Sequence, residues 1–104
     1  MSRRRRKVSV AVLEFDPLLV RRLSEDAAKQ FSEEPDGDRA VIRALRSAWQ
    51  TALTPHQRTY MQEYYINRKT MQQIAAEYGV NKTTVWRTLR RARSRLRSVL
   101  HFYL

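Results

Sequence analysis

Cysteine is absent from this chain, and glycine occurs only twice. Without cysteine there can be neither a disulfide framework nor a thiolate metal site, which fits a reducing compartment. The two histidines, His56 and His101, lie far apart, so an imidazole metal site would need carboxylates from distant segments. No apolar run approaches the ~20 residues that a membrane helix requires. The start, Arg3 to Lys7 followed by Val8 to Leu13, mimics a signal peptide only faintly. Its apolar stretch is too short, and Glu14 and Asp16 follow without a small-residue cleavage site. The expectation is a cytoplasmic protein that does not enter a membrane. No pocket chemistry is visible, so no cofactor and no enzymatic activity are expected.

Acid is the other scarcity, and it is local. Residues 14–38 carry eight acidic and three basic side chains, whereas residues 39–104 carry thirteen basic and only two acidic ones. The first thirteen residues add five positive charges and no acid, and the whole chain has a formal net charge of +11. A basic surface of this density attracts a polyanion, of which nucleic acid is the commonest; a solvated, solubilising surface is the plain alternative. At 104 residues the chain is long enough for one compact domain, with a modest core that needs no metal or disulfide.

Periodicity divides the chain into helices. Residues 1–13 read as a basic arm, within which Val8 to Leu13 fits either a short strand or an extended entry into a helix. From Pro17 to Phe31, Leu19, Val20, Leu23, Ala27 and Phe31 recur at helical spacing. Ser32 to Asp38, with Pro35 and Gly37, reads as a loop. Val41, Ala44, Leu45, Ala48 and Trp49 then form the apolar stripe of a helix from Arg39 to Ala52, with Arg43 and Arg46 outside it. Thr54-Pro55-His56-Gln57 is a capping box with proline at the first helical position. It starts a helix to about Asn67, with Tyr60, Met61, Tyr64 and Tyr65 on the buried side. Thr70-Met71-Gln72-Gln73 repeats that signal, and the helix it begins ends at Gly79. Asn81 caps a last helix that continues toward the end of the chain. The segments are therefore 1–13, a helical stretch 14–52 with an acidic loop, and 53–104.

The stretch from Thr70 to Leu89 has the spacing of a helix-turn-helix. Ala75 is small where the second helix crosses, and Gly79 accepts a positive φ. Ile74, Tyr78, Val80, Val85 and Leu89 complete the apolar set between the helices. At about 100° per residue, Val85, Leu89, Ala92, Leu96 and Val99 fall on one face of the last helix, with Thr83, Trp86, Arg87, Arg90 and Ser94 opposite. Arg87 suits a bidentate contact to guanine, and Thr83 suits a base edge or a thymine methyl. Trp86 either packs on a sugar or thymine methyl or shields the helix pair. Lys82, Arg90, Arg91 and Arg93 suit phosphates, which fix register without reading sequence.

Leu53-Thr54-Pro55-His56-Gln57-Arg58, Tyr64-Tyr65-Ile66, Ile74-Ala75, Gly79-Val80-Asn81-Lys82 and Thr88-Leu89-Arg90-Arg91-Ala92-Arg93 together resemble region 4 of bacterial RNA polymerase sigma factors. That module reads the promoter −35 element, and the resemblance covers about residues 53–97. It implies an all-α fold: a small helical domain with a C-terminal helix-turn-helix and a long basic last helix. It implies base contacts from Lys82, Thr83, Trp86 and Arg87, and backbone contacts near Thr70, Gln72, Arg90 and Arg91. Double-stranded DNA is then the main partner, with RNA polymerase as a second. Lys69 stands where that family carries an apolar residue, and Arg68 where a small one is common, so a more exposed loop before Thr70 is expected. Residues 1–52 are too short for the promoter-melting domain of a sigma factor and lack its aromatic cluster.

The functional reading is a sequence-specific DNA-binding transcription regulator. Two alternatives remain: a protein that binds RNA polymerase or another regulator and touches DNA weakly, and the DNA-binding tail of a recombinase. The arm Arg3 to Lys7 fits either a minor-groove contact or a solubilising tail. The acidic stretch 14–38 could cover the basic surface or simply be solvated. Val99, Leu100, Phe102, Tyr103 and Leu104 fit a core cover, a docking point for the N-terminal helix, or a dimer contact through the C-terminal helix.

Overall fold

Two threonines set the starts of the helices around which the molecule is organised. In a computed structural model describing residues 12, 14–24 and 36–102, Thr54 and Thr70 both have extended backbones and both close complete capping boxes with Gln57 and Gln73. The Gln57 amide donates to the Thr54 hydroxyl at 3.2 Å and the Gln73 amide to that of Thr70 at 3.0 Å. Each glutamine side chain accepts in return from the threonine amide. Two otherwise orphaned backbone donors are satisfied at each helix start.

The helices in order are α1 (Pro17–Ser24), α2 (Asp36–Thr51), α3 (Pro55–Met61), which runs on into one π-helical turn (Gln62–Ile66), α4 (Met71–Tyr78) and α5 (Lys82–His101). No strand occurs among the described residues, and the fold is all-α as expected. One continuous apolar cluster takes side chains from every helix, from Val12 to Leu100. The α5 helix runs through its centre and packs on α2, α3 and α4, while α1 covers α2 and the π-helical turn. Val85, Leu89, Ala92, Leu96 and Leu100 form its buried spine. No helix among the described residues is long and apolar enough to cross a membrane.

Several boundaries differ from the sequence reading. The second helix begins at Asp36, so Asp36, Gly37 and Asp38 belong to its first turn rather than to a loop. The first helix is described only to Ser24; its expected continuation to Phe31 lies outside the described residues, as do the arm 1–7 and, apart from Val12, the stretch 8–13. Arg46, expected on the outside of its helix, is buried. Its guanidinium donates through Nε and Nη2 to the Arg22 carbonyl at 3.0 and 2.8 Å. It thereby ties α2 to the backbone of α1. A pattern of apolar spacing cannot identify an arginine whose aliphatic stem is buried and whose head bonds the backbone of another helix. Tyr64 and Tyr65, expected on the buried side, are half-buried.

The junction between α2 and α3 is held in a related way. Nη1 of Arg58 donates to the carbonyl of Leu53 at 2.8 Å, with longer contacts to those of Trp49 and Gln50. Arg95 from α5 reaches the Ala52 carbonyl at 3.3 Å. Positive charge at the C-terminal end of α2 also suits its helix dipole. Near the N-terminal end, Phe15 is completely buried with φ of 54°. The guanidinium of Arg97 lies 5.4 Å from its ring centroid, within the range of a cation–π contact.

Candidate nucleic-acid interface

The α4 helix stops because Gly79 takes a left-handed conformation, φ 68° and ψ 36°, with its amide bonded to the Ala75 carbonyl. A Cβ built at Gly79 would meet nothing within 4 Å. The backbone angle alone therefore calls for glycine, not a shortage of space. Val80 and Asn81 complete the turn, and α5 starts at Lys82. Ile74, Ala75, Val85 and Leu89 are buried between the two helices, and Val80 packs half-buried against the same cluster. This is a helix-turn-helix pair.

Two of the residues read from sequence behave differently. Tyr78 was expected in the apolar set but is 39% exposed. Its ring lies 5.3 Å from that of Tyr60, and its hydroxyl donates to Glu63 Oε2 at 2.5 Å. Asn81 holds the N-cap position with extended backbone angles, but its side chain makes no cap hydrogen bond. Its carbonyl instead accepts from the amides of Thr84 and Val85.

The outer face of α5 carries Lys82, Thr83, Trp86, Arg87, Arg90 and Arg91, all exposed. The helix contains no acidic residue. Trp86 is 43% exposed, and the guanidinium of Arg90 lies 5.3 Å from its ring centroid. The stack restricts a long side chain that would otherwise be free in solvent. Arg93 is set apart from this face. It is half-buried and its Nη1 donates to the Tyr65 hydroxyl at 3.2 Å, so it braces α5 against the π-helical turn. On the preceding helix Thr70 and Gln72 are exposed beside the start of α4.

A polar cluster missed in the sequence fixes the angle at which α4 leaves the turn before it. Glu63 is nearly buried, and it accepts from the Tyr78 hydroxyl, from Asn67 Nδ2 at 2.8 Å and from Lys69 Nζ at 2.9 Å. These donors, Tyr78 first, hold its carboxyl down to about 2 against the opposing effect of burial. Lys69 also pairs with Glu77 at 2.7 Å, and the two carboxylates push its pKa above the ordinary lysine value. The carboxylate beside Tyr78 likewise raises the tyrosine pKa. Where a more exposed loop is expected from the sequence, Lys69 is half-buried and tied down by charge, while Arg68 before it is exposed. The available signal was that Glu63 and Glu77 are the only acids from residue 39 onward; both contact the same lysine.

Arg68 ends the π-helical turn in a left-handed conformation, with φ of 59°. The Lys69 amide bonds to the Glu63 carbonyl at 3.1 Å and the Asn67 amide to that of Gln62 at 3.0 Å, so the chain wraps back onto the π-helical turn as it ends. A small residue suits this position because the angle is costly for one with a Cβ.

An all-α domain with this paired α4 and α5 and a basic outer face defines a helix-turn-helix protein. Residues 37–101 match the UPF0122 family, described as "Putative helix-turn-helix protein, YlxM / p13 like", and the chain belongs to that family. A "UPF0122 protein" of Anoxybacillus flavithermus (strain DSM 21510 / WK1) is 38% identical over 52 residues, which is 50% of this chain and 47% of that protein. The chain thus matches about half the length of this curated relative. No solved structure matches. The helix-turn-helix is a DNA-binding arrangement, and family membership points to DNA binding.

Proposed function

We propose that the chain binds duplex DNA sequence-specifically and regulates transcription by seating the first half of α5 in the major groove of a promoter element of the −35 type. One observation carries this reading: Lys82, Thr83, Trp86, Arg87 and Arg90 stand exposed on a helix whose opposite side is fully packed. Rigid support matters because a base contact requires the side chain to be held at the groove floor rather than sampled there. Arg87 and Thr83 are the base readers, with Lys82 and Trp86 beside them; Thr70, Gln72, Arg90 and Arg91 hold phosphates. Arg93 contributes least, because it already bonds Tyr65. Duplex DNA is favoured over duplex RNA because the A-form major groove is too narrow to read.

RNA polymerase is the protein partner that fits promoter reading of this type. Pairing of two copies through the end of α5 is supported by Phe102, 86% exposed just beyond the helix.

Site selection from random duplex DNA, repeated at low and moderate salt, tests the proposal. One short motif that survives moderate salt is expected, with Arg87→Ala losing the preference for it. Binding that is motif-free and vanishes with salt would overturn the autonomous reading. It would favour a protein that reaches promoters through RNA polymerase.

A further inference from the structure

Beside the helix-turn-helix lies a cleft of about 770 Å³ that shares only Lys82 with the base-reading face. Its lining includes Tyr64 and Tyr65 from the π-helical turn, Arg68 from the loop, Thr70 and Gln72 at the start of α4, and Lys82 at the start of α5. Lys69 also lines it, but two carboxylates, Glu63 and Glu77, already take its charge. No acidic side chain among the described residues lines the cleft. Arg68 and Lys82 have no hydrogen-bond or ion-pair partner among the described residues and supply its uncompensated charge. Its apolar lining comes from Tyr64, Tyr65, Pro17 and Met71. The cleft thus combines an apolar seat with a cationic rim.

The geometry points to this cleft as the channel for one sugar–phosphate strand of the bound duplex, with Arg68 as a phosphate contact and the tyrosine rings against deoxyribose. The inference rests on the proposed DNA reading and extends it to a residue outside the helix-turn-helix. Three features favour a DNA strand as the occupant. The cleft is continuous with the start of α5 through Lys82, and with the start of α4 through Thr70 and Gln72. Its charge is of one sign. Its apolar walls suit the sugar, while the rim suits the phosphates on either side of it. An acidic peptide matches the charge but not this continuity, and it is the competing outcome. Arg68 also has backbone angles that glycine would adopt without strain. Removal of its charge can therefore be tested without harm to the fold.

The experiment uses the full chain and the duplex recovered by site selection, together with a scrambled duplex. Affinity is measured from 50 to 200 mM salt, and phosphate-ethylation interference is mapped for the wild type, Arg68→Gly, Arg68→Lys and Arg87→Ala. Loss of one phosphate contact lowers the slope of log K against log salt by about 1. Arg68→Gly is expected to show that drop, with binding roughly severalfold to tenfold weaker at 0.1 M salt on both duplexes alike. At least one ethylated phosphate that blocks the wild type should cease to block Arg68→Gly, and Arg68→Lys should restore slope and footprint. An unchanged slope and footprint in Arg68→Gly, with Arg87→Ala still abolishing selectivity, overturns the cleft assignment and leaves the groove reading intact. Wild-type protein with no salt-dependent affinity for either duplex overturns both. Competition by a poly-glutamate peptide against wild type but not against Arg68→Gly, without any change in the DNA footprint, assigns the cleft to an acidic protein partner instead.

Discussion

The Tyr78 hydroxyl donates to the Glu63 carboxylate at 2.5 Å, joining the last residue of α4 to the π-helical turn fifteen residues earlier. Through this bond, and through Lys69 between Glu63 and Glu77, the first helix of the helix-turn-helix is fixed to the helix before it. The tilt of α4 in turn sets where the turn at Gly79 delivers α5.

Glu63→Gln is expected to lower stability by about 1–3 kcal/mol, since it removes the charge that pairs with Lys69 and replaces one of the two acceptor oxygens with an NH2 donor. The pH dependence has a definite sign. Glu63 is held down to about 2 from an ordinary 4.5, so its contribution is fully present above about 4.5 and is lost as pH falls toward 2. Urea midpoints measured between pH 6 and pH 2.5 should fall more steeply for wild type than for Glu63→Gln. Parallel curves would show that the network does not control acid stability.

Gly79→Ala should destabilise by about 1 kcal/mol through the backbone angle alone, because no neighbour obstructs the added methyl. Gly79→Asn, which tolerates the left-handed region better, should cost less. Thermal melts of the two variants separate this origin from packing: a larger loss for the bulkier asparagine would point to a clash.

Arg58→Ala removes the donor to the carbonyls of Leu53, Trp49 and Gln50. A loss of about 1.5–3 kcal/mol is expected for hydrogen bonds from a charged group. Arg58→Lys should recover only part of it, because an ammonium on a shorter, unbranched stem does not reach the position from which Nη1 bonds these carbonyls. Denaturant titrations check both, and full recovery by lysine would mean that charge at the helix end matters more than bond geometry.

Trp86 and Arg90 should be coupled. Their stack at 5.3 Å is exposed and is expected to contribute about 0.5–1 kcal/mol in a double-mutant cycle of Trp86→Ala and Arg90→Ala. The same cycle in DNA affinity shows whether the stack pre-orients Arg90 for a phosphate; strictly additive losses would show that the two act separately.

Much of the site was legible before the fold. The threonine–glutamine capping boxes, the glycine stop and the apolar spine Val85, Leu89, Ala92 and Leu96 are local signals, each specified by residues three or four positions apart. The exposure of Lys82, Thr83, Trp86 and Arg87 follows from that spine, because one side of a helix dictates the other. What local pattern missed was long-range and polar. The burial of Arg46 depends on a carbonyl 24 positions away, and the exposed position of Tyr78 depends on Glu63.

By itself, the sequence determined an all-α chain with two boxed helix starts, a helix-turn-helix spacing and a basic final helix, because helical periodicity and capping chemistry are written within single turns. The tertiary structure alone decided that Arg46 and Arg58 turn inward to bond backbone carbonyls outside their own helices, that Glu63 gathers Tyr78, Asn67 and Lys69, and that Arg68, Lys82 and two tyrosines border one cleft. Those arrangements join residues far apart in the chain, and their energies come from hydrogen bonds and charge pairs that exist only once the helices have packed.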